Sequence, residues 1–404
     1  MASPPQPKIS IIGAGPASLA LACILQKHNI PFTVYESSPV LRTQGGSLDL
    51  HPQTGQLALK EADLWEEFKK HARPESDVMK VVHVVTGEVF WDENEGDKQE
   101  AKKGEASFDG RPEIDRMALA TLMFERLEQG KVQFGKKLKE VVPSKEGEAK
   151  YDLVFADGTT EYGSDLVVGG DGAWSKVRKV LTDQMPAYSG ISTVMLTCND
   201  IKADAWLLKY AGEGSMMAFG DGCAVQAQRQ GDGSLRTYAS LRAPEDFLDT
   251  CGIDWTQKDS ALKQYVERYL PHIHNDLKRV VLSCNDNLEV RGLYELPIGF
   301  RWPRRSGVTL IGDAAHVFTP YAGEGVNVAM KDAYVLAQEI VKVCKGEKSL
   351  DDGIKDYEEE MFPRSTKAAI KTAGGKKGHF SGTGAKEFSD MFKAHYYGPE
   401  SVKA

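Results

Sequence analysis

The sequence predicts a mixed α/β chain: a doubly wound parallel sheet, an inserted antiparallel-sheet domain, and a helical C-terminal segment. Three observations carry this reading. Residues 8–36 run strand, glycine turn, helix, strand, and residues 308–336 repeat the order strand, glycine turn, helix. Between them, residues 187–286 change to period-two alternation around G-D-G turns at 220–222 and 231–233, the pattern of antiparallel hairpins.

The first unit opens with KISII (8–12), a short β-branched strand, and continues through IIGAGPAS (11–18) into PASLALACILQKH (16–28), whose dense apolar residues suit a buried helix. A second strand, PFTVYE, ends on Glu36, 23 positions after Gly13. This is the layout of a Rossmann-like dinucleotide loop. Gly13 permits the sharp turn and Gly15 a close backbone approach to a pyrophosphate. The helix start at Pro16, Ala17 and Ser18 offers the unpaired N–H groups of its first turn beyond the proline, and Glu36 is placed to accept from a ribose. The sixth fingerprint position is Ser18 instead of glycine, an extra CH2OH that a slight helix shift would absorb. The loop leaves NAD and FAD open. A rival reading, a lipoprotein-type signal sequence over the uncharged run Ile9–Gln26, is opposed by the turn residues Gly13, Gly15 and Pro16.

Doubly wound alternation is expected over 1–76 and 105–186 and resumes over 287–348. The inserted substrate-binding domain is expected over 77–104 and 187–286, and the helical segment over 349–404. Within these, DENEGDKQEAKKG (92–104) reads as an exposed loop. The helical pattern after Leu350 extends to about Lys371; GGKKGHFSGTG reads as a flexible break, GTGAKE (382–387) as a loop, and a short helix follows.

Composition narrows the function. The 404 residues, 41% hydrophobic and 27% charged, can fill two cores. A net charge of −8 disfavours nucleic acid and anionic membranes as partners, and no other apolar run approaches a membrane span. Six scattered cysteines without metal-ligand spacing point to the cytoplasm and to no metal site. A monomer is expected.

VTLIGDAAHVFTPYAGEGVNVAMKDAYVL (308–336) supplies a second strand end and glycine-rich helix start, and GGDGAWSKVR (169–178) a third glycine loop. Together, G-D-A-A-H, P-x-x-G-x-G-x-N, D-A-x-x-L and D-G-x-x-S-x-x-R resemble the single-component aromatic hydroxylases, the class A flavoprotein monooxygenases. The resemblance implies FAD as cofactor, held by the first loop and by Asp171 and Asp313. It places Pro320, Gly323, Glu324, Gly325, Val326 and Asn327 against the isoalloxazine. A narrower resemblance, carried by GGSLDLHPQTGQLALKEA (45–62), RPEIDR (111–116) and YEEEMF (357–362), is to the tetracycline-inactivating monooxygenases of the Tet X type. It adds Asp49 and Arg116 as FAD contacts and Arg42 at an NADPH-linked position. In such enzymes a transiently docked NAD(P)H reduces FAD, and O2 then gives a flavin C4a-hydroperoxide that hydroxylates an electron-rich ring.

The resemblance thins over the middle segment, where Met217, Gln226 and Gln228 are the substrate-contact candidates on a polycyclic phenol or enol. Met216 serves equally as a pocket floor or as core. Groups able to assist deprotonation are His51, Tyr210, Arg236, Tyr238 and Tyr321; His316 reads as a structural hydrogen-bonder, and no catalytic base is assigned. The competing readings are a flavoprotein of another reaction type, such as a halogenase or reductase, and a non-enzymatic binding protein on the same scaffold.

Overall fold

A computed structural model describes residues 6–42, 45–95, 108, 110–145, 147, 149–398 and 400. The chain divides into two compact units. The first comprises Met1–Ala72, Arg116–Ala187 and Tyr294–Thr372; the second comprises Arg73–Asp115, Tyr188–Leu293 and Ala373–Ala404.

At the centre of the first unit is a five-stranded, wholly parallel sheet in the order Val308–Leu310, Leu166–Gly169, Ile9–Ile12, Phe32–Tyr35, Val132–Gln133. The three strands at one side are buried at every residue, as expected of parallel strands covered on both faces. Helix Pro16–Lys27 is buried without interruption from Ala17 to Leu25 and packs against helix Gly325–Cys344. It begins at a proline whose missing N–H costs nothing there, and it ends at Asn29, which adopts a left-handed φ of 55°.

The expected βα alternation over 105–186 fails in one stretch. Leu138–Pro143, Tyr151–Phe155 and Thr160–Ser164 form a three-stranded antiparallel sheet. The reason lies in Asp157-Gly158, with Gly158 at φ 84°, which closes a tight hairpin between the second and third of these strands.

The second unit holds a seven-stranded sheet in the order Asn287–Glu295, Ala187–Cys198, Leu235–Arg242, Cys223–Arg229, Ser215–Gly220, Met79–His83, Val89–Asp92. The expected hairpins are present, with Ser215–Gly220 paired antiparallel to Cys223–Arg229 and the latter to Leu235–Arg242. One sheet face carries Val194, Met216, Val225 and Ala239 into a core shared with helices Lys258–Tyr269 and Asn275–Ser283.

Three local expectations are corrected. The start of the charged stretch is ordered rather than an exposed loop: Asp92 closes an edge strand, and Glu93 is buried and accepts from the Met79 N–H at 2.9 Å. Residues 96–104 of that stretch lie outside the described residues. Helix Leu350–His379 runs through Gly374, Gly375 and Gly378, where a break was expected. Burial of His379 and Phe380, with the His379 ring 4.2 Å from Phe219, outweighs the glycines' poor helix propensity. Gly384–Tyr397 is helix, so GTGAKE is a turn running into a helical first turn rather than a loop. No helix among the described residues is long and apolar enough to cross a membrane.

Candidate cofactor site

The strand registers of the parallel sheet bring four sequence motifs together. Ile12 pairs with both Tyr35 and Gly169, and Gly169 pairs with Leu310. The loops that follow these residues therefore leave one sheet edge side by side, at its carboxyl end, which is where open α/β sheets bind ligands.

In the first loop, Gly13 has φ 94° and donates its N–H to the Tyr35 carbonyl at 2.8 Å; a Cβ on it would lie 2.4 Å from the Gly170 carbonyl oxygen. Gly15 caps the helix in extended conformation, and a Cβ built there meets nothing within 4 Å. The helix has no side-chain cap and no acid in its first turn, so its N-terminal N–H groups and dipole are available to an anion. Glu36, 6% exposed, accepts from the Ala14 N–H at 2.8 Å and from the Ser38 N–H at 2.7 Å. Arg42 approaches the same carboxylate at 3.7 Å and donates to the Ser37 hydroxyl at 3.0 Å, with its side chain largely exposed. The open cradle at Gly15 and a carboxylate held beside it fit a dinucleotide.

Asp171 turns inward. It accepts from the Ser175 hydroxyl at 2.5 Å and from the Lys176 N–H at 2.6 Å, and burial pushes its carboxyl above the usual range despite these bonds. Arg178, 1% exposed, donates to the Ala314 carbonyl at 2.9 Å and to the Ala173 carbonyl, tying the 170–178 loop to the G-D-A-A-H segment.

Gly312 at φ 60° turns the chain into the short helix Asp313–His316, leaving the Asp313 carboxylate exposed. Beneath it lies an ion cluster that the sequence reading did not single out. Asp332, fully buried in helix Gly325–Cys344, accepts from the Gly312 N–H at 2.8 Å, meets His316 Nε2 at 2.6 Å and pairs with Arg364 at 2.8 Å. Burial raises the Asp332 carboxyl, but His316, Arg364 and the Gly312 N–H outweigh it and hold it below its usual value. The sequence signal was the aspartate of the D-A-x-x-L pattern, within the helix that follows the second glycine loop. His316 is thus a hydrogen-bonder in the frame, as expected.

Asn327, 0% exposed, donates to the Asp49 carbonyl at 2.8 Å and accepts from the His51 N–H at 2.8 Å and the Thr54 hydroxyl at 3.1 Å. It clamps the 49–54 segment to the start of the second glycine helix. There Gly323 has φ 64°, Gly325 is open to space, Val326 lies in the first turn, and Glu324 pairs with Lys371. Pro320 is exposed and Tyr321 buried. Asp49 and His51 meet at 2.9 Å. Arg116 crosses Gly45, where a Cβ would stand 2.4 Å from its Cδ.

In the second unit, Met217, Gln226, Tyr238 and Met195 form one cross-strand row, with Gln228 and Arg236 opposite each other in the next. All are half-buried and share the face opposite the core. Gln228 donates to Glu113 at 3.3 Å. Met216 is core. Tyr210 leaves this group: it stacks on Trp206 with Lys80 over its ring, and burial pushes its hydroxyl up to about 12.

The sequence profile of the family described as FAD binding domain matches residues 7–372. A curated relative, the monooxygenase penA of Penicillium thymicola, is 27% identical over 96% of this chain and 98% of its own. Klebsiella pneumoniae HpxO, solved with FAD and uric acid, superposes with a TM-score of 0.74 at 19% identity, covering 98% of this chain and 93% of that one. Tetracycline destructase Tet(55) superposes at 0.71 with 16% identity, covering 99% of both. At these identities the two superpositions establish the fold alone, and the tetracycline-inactivating subgroup is similar at that level. With the profile spanning most of its length, the chain belongs to the FAD binding domain family, and its cofactor is FAD.

Proposed function

We propose that the chain is an FAD-dependent, NAD(P)H-consuming monooxygenase that hydroxylates an aromatic or polycyclic phenol or enol. The observation that carries the reading is the convergence of three glycine-rich loops and the Glu36 strand end at the carboxyl end of the parallel sheet, around an open helix N-terminus. The penA relative, named a monooxygenase, supports the reaction class, and HpxO, solved with uric acid, supports an aromatic substrate.

In this reading the first unit is the FAD-binding domain. Gly13, Gly15 and the turn from Pro16 to Ser18 hold the pyrophosphate, and Glu36 takes the ribose. Asp171 shapes its loop, Asp313 presents its exposed carboxylate to the ribityl side, and the segment from Pro320 to Asn327 faces the ring. Asp49 and Arg116 complete the set, and Arg42 takes part in NAD(P)H docking. When bound, FAD supplies hydride acceptance and oxygen activation. The sheet of the second unit contributes substrate contacts through Met217, Gln226 and Gln228. The likeness to Tet(55) makes tetracyclines the first compounds to try.

The test is NADPH consumption by the FAD-loaded protein across a panel of tetracyclines, hydroxybenzoates and fused-ring phenols, with mass spectrometry of each compound. Accelerated oxidation with gain of a single oxygen by one of them is the expected outcome. A panel left unoxygenated would sink the monooxygenase reading.

A further inference from the structure

The sixth fingerprint residue, Ser18, occupies a position where helix and strand pack so closely that glycine is the usual solution. Ser18 is 1% exposed and, among the described residues, its hydroxyl has no hydrogen-bond partner. Its hydroxyl lies in the space that a side chain at Gly170 would fill. A Cβ built on Gly170 would stand 2.1 Å from Ser18 Oγ, a distance no real pair of atoms adopts. The same Cβ would be 3.3 Å from the Ile12 carbonyl oxygen and 3.4 Å from Ile311 Cγ1, so relief falls to the Ser18 hydroxyl, which has to turn to another rotamer at a position that is 1% exposed.

Gly170 does more than leave room. Its N–H donates to the Ile12 carbonyl at 2.8 Å, and its own carbonyl oxygen sits where a Cβ on Gly13 would come within 2.4 Å. One residue of the third glycine loop therefore touches the first loop at its strand end, its turn and its helix.

We propose that Gly170 is a positioning residue of the cofactor site: the missing Cβ at 170 accommodates the side chain at 18, and this exchange of bulk sets the spacing between the 13–18 and 170–178 loops. The vacant glycine position of the fingerprint has been moved to the neighbouring strand end, not lost. The pair is to be understood as a unit, in which the size of residue 18 sets the size allowed at residue 170.

The inference rests on the cofactor assignment for one readout only. FAD affinity of the purified protein is measured by flavin fluorescence, and the thermal midpoint of the apoprotein is measured alongside it. Gly170→Ala overpacks the contact and is expected to weaken FAD binding about 10-fold and to lower the apoprotein midpoint. Ser18→Gly alone, which keeps the backbone N–H at position 18, is the background against which the double variant is compared in both affinity and midpoint. The double variant Gly170→Ala with Ser18→Gly is expected to recover both quantities, a rescue that a generally damaged fold would not show. Wild-type affinity in Gly170→Ala, or no recovery in the double variant, overturns the proposal. Should Gly170→Ala fail to fold, recovery of soluble protein in the double variant supports the pairing and its absence refutes it. If the wild-type protein itself takes up no FAD, the cofactor assignment fails, while the apoprotein midpoints still decide the pairing.

Discussion

Asn327 commits its whole side-chain amide to other segments, donating to the carbonyls of Asp49 and Gly323 and accepting from the His51 N–H and the Thr54 hydroxyl. Truncation to alanine strands several of these groups in a fully buried setting, so Asn327→Ala should cost about 3 kcal/mol. Because the freed segment includes Asp49 and His51, bound FAD should fall with it. Urea unfolding and the flavin content of the purified variant measure the two effects; a stable variant with full flavin would show the clamp to be dispensable. Residues of this kind were legible as motif letters, since P-x-x-G-x-G-x-N names Asn327 outright. What the letters left out was the partner. Asp332 stood in the D-A-x-x-L pattern, yet its role depends on Gly312, His316 and Arg364 converging on one carboxylate. No periodicity encodes such a convergence.

The helix Leu350–His379 teaches a different lesson, because its last turns contradict local propensity. Three glycines between 374 and 378 predict a break, and the helix persists because His379 and Phe380 are buried. His379 packs on Phe219 and Phe388 and lies 2.8 Å, through Nδ1, from the Gly375 carbonyl. Burial, only partly offset by that bond, pushes the imidazole down from 6.5 to about 4. The unfolded chain therefore binds a proton that the folded chain refuses between those two values, so stability is fully present above pH 6.5 and declines as the pH falls toward 4. The displacement corresponds to about 3 kcal/mol. His379→Phe keeps an aromatic ring and removes the titration, so its melting temperature should fall less steeply than wild type over that interval. Parallel slopes would show that His379 is not a source of the acid sensitivity. Strands were read more reliably than this helix end, since the alternation that places Met217, Gln226, Arg236 and Tyr238 on one face is a property of consecutive residues.

Across the whole molecule, the candidate cofactor site draws on stretches as far apart as Gly13 and Asn327, following strands that are neighbours in the parallel sheet. Three motifs in order pointed to this candidate site from sequence, whereas the residues proposed for substrate stayed open because a half-buried sheet face has no fixed letters. The same discontinuity governs unfolding. Each compact unit closes only when three separate stretches meet, and helix Leu350–His379 contributes residues to both. Losing one stretch from either unit therefore removes chain that the other unit also constrains, which favours a single cooperative transition over two independent ones. A ligand that binds only the folded state stabilises it, so free FAD at about 100 times its dissociation constant should add about 2.7 kcal/mol to the whole transition. Differential scanning calorimetry at increasing FAD should show one endotherm moving upward without splitting. Two endotherms, of which FAD moves only one, would show that the units unfold separately despite their interleaved chain.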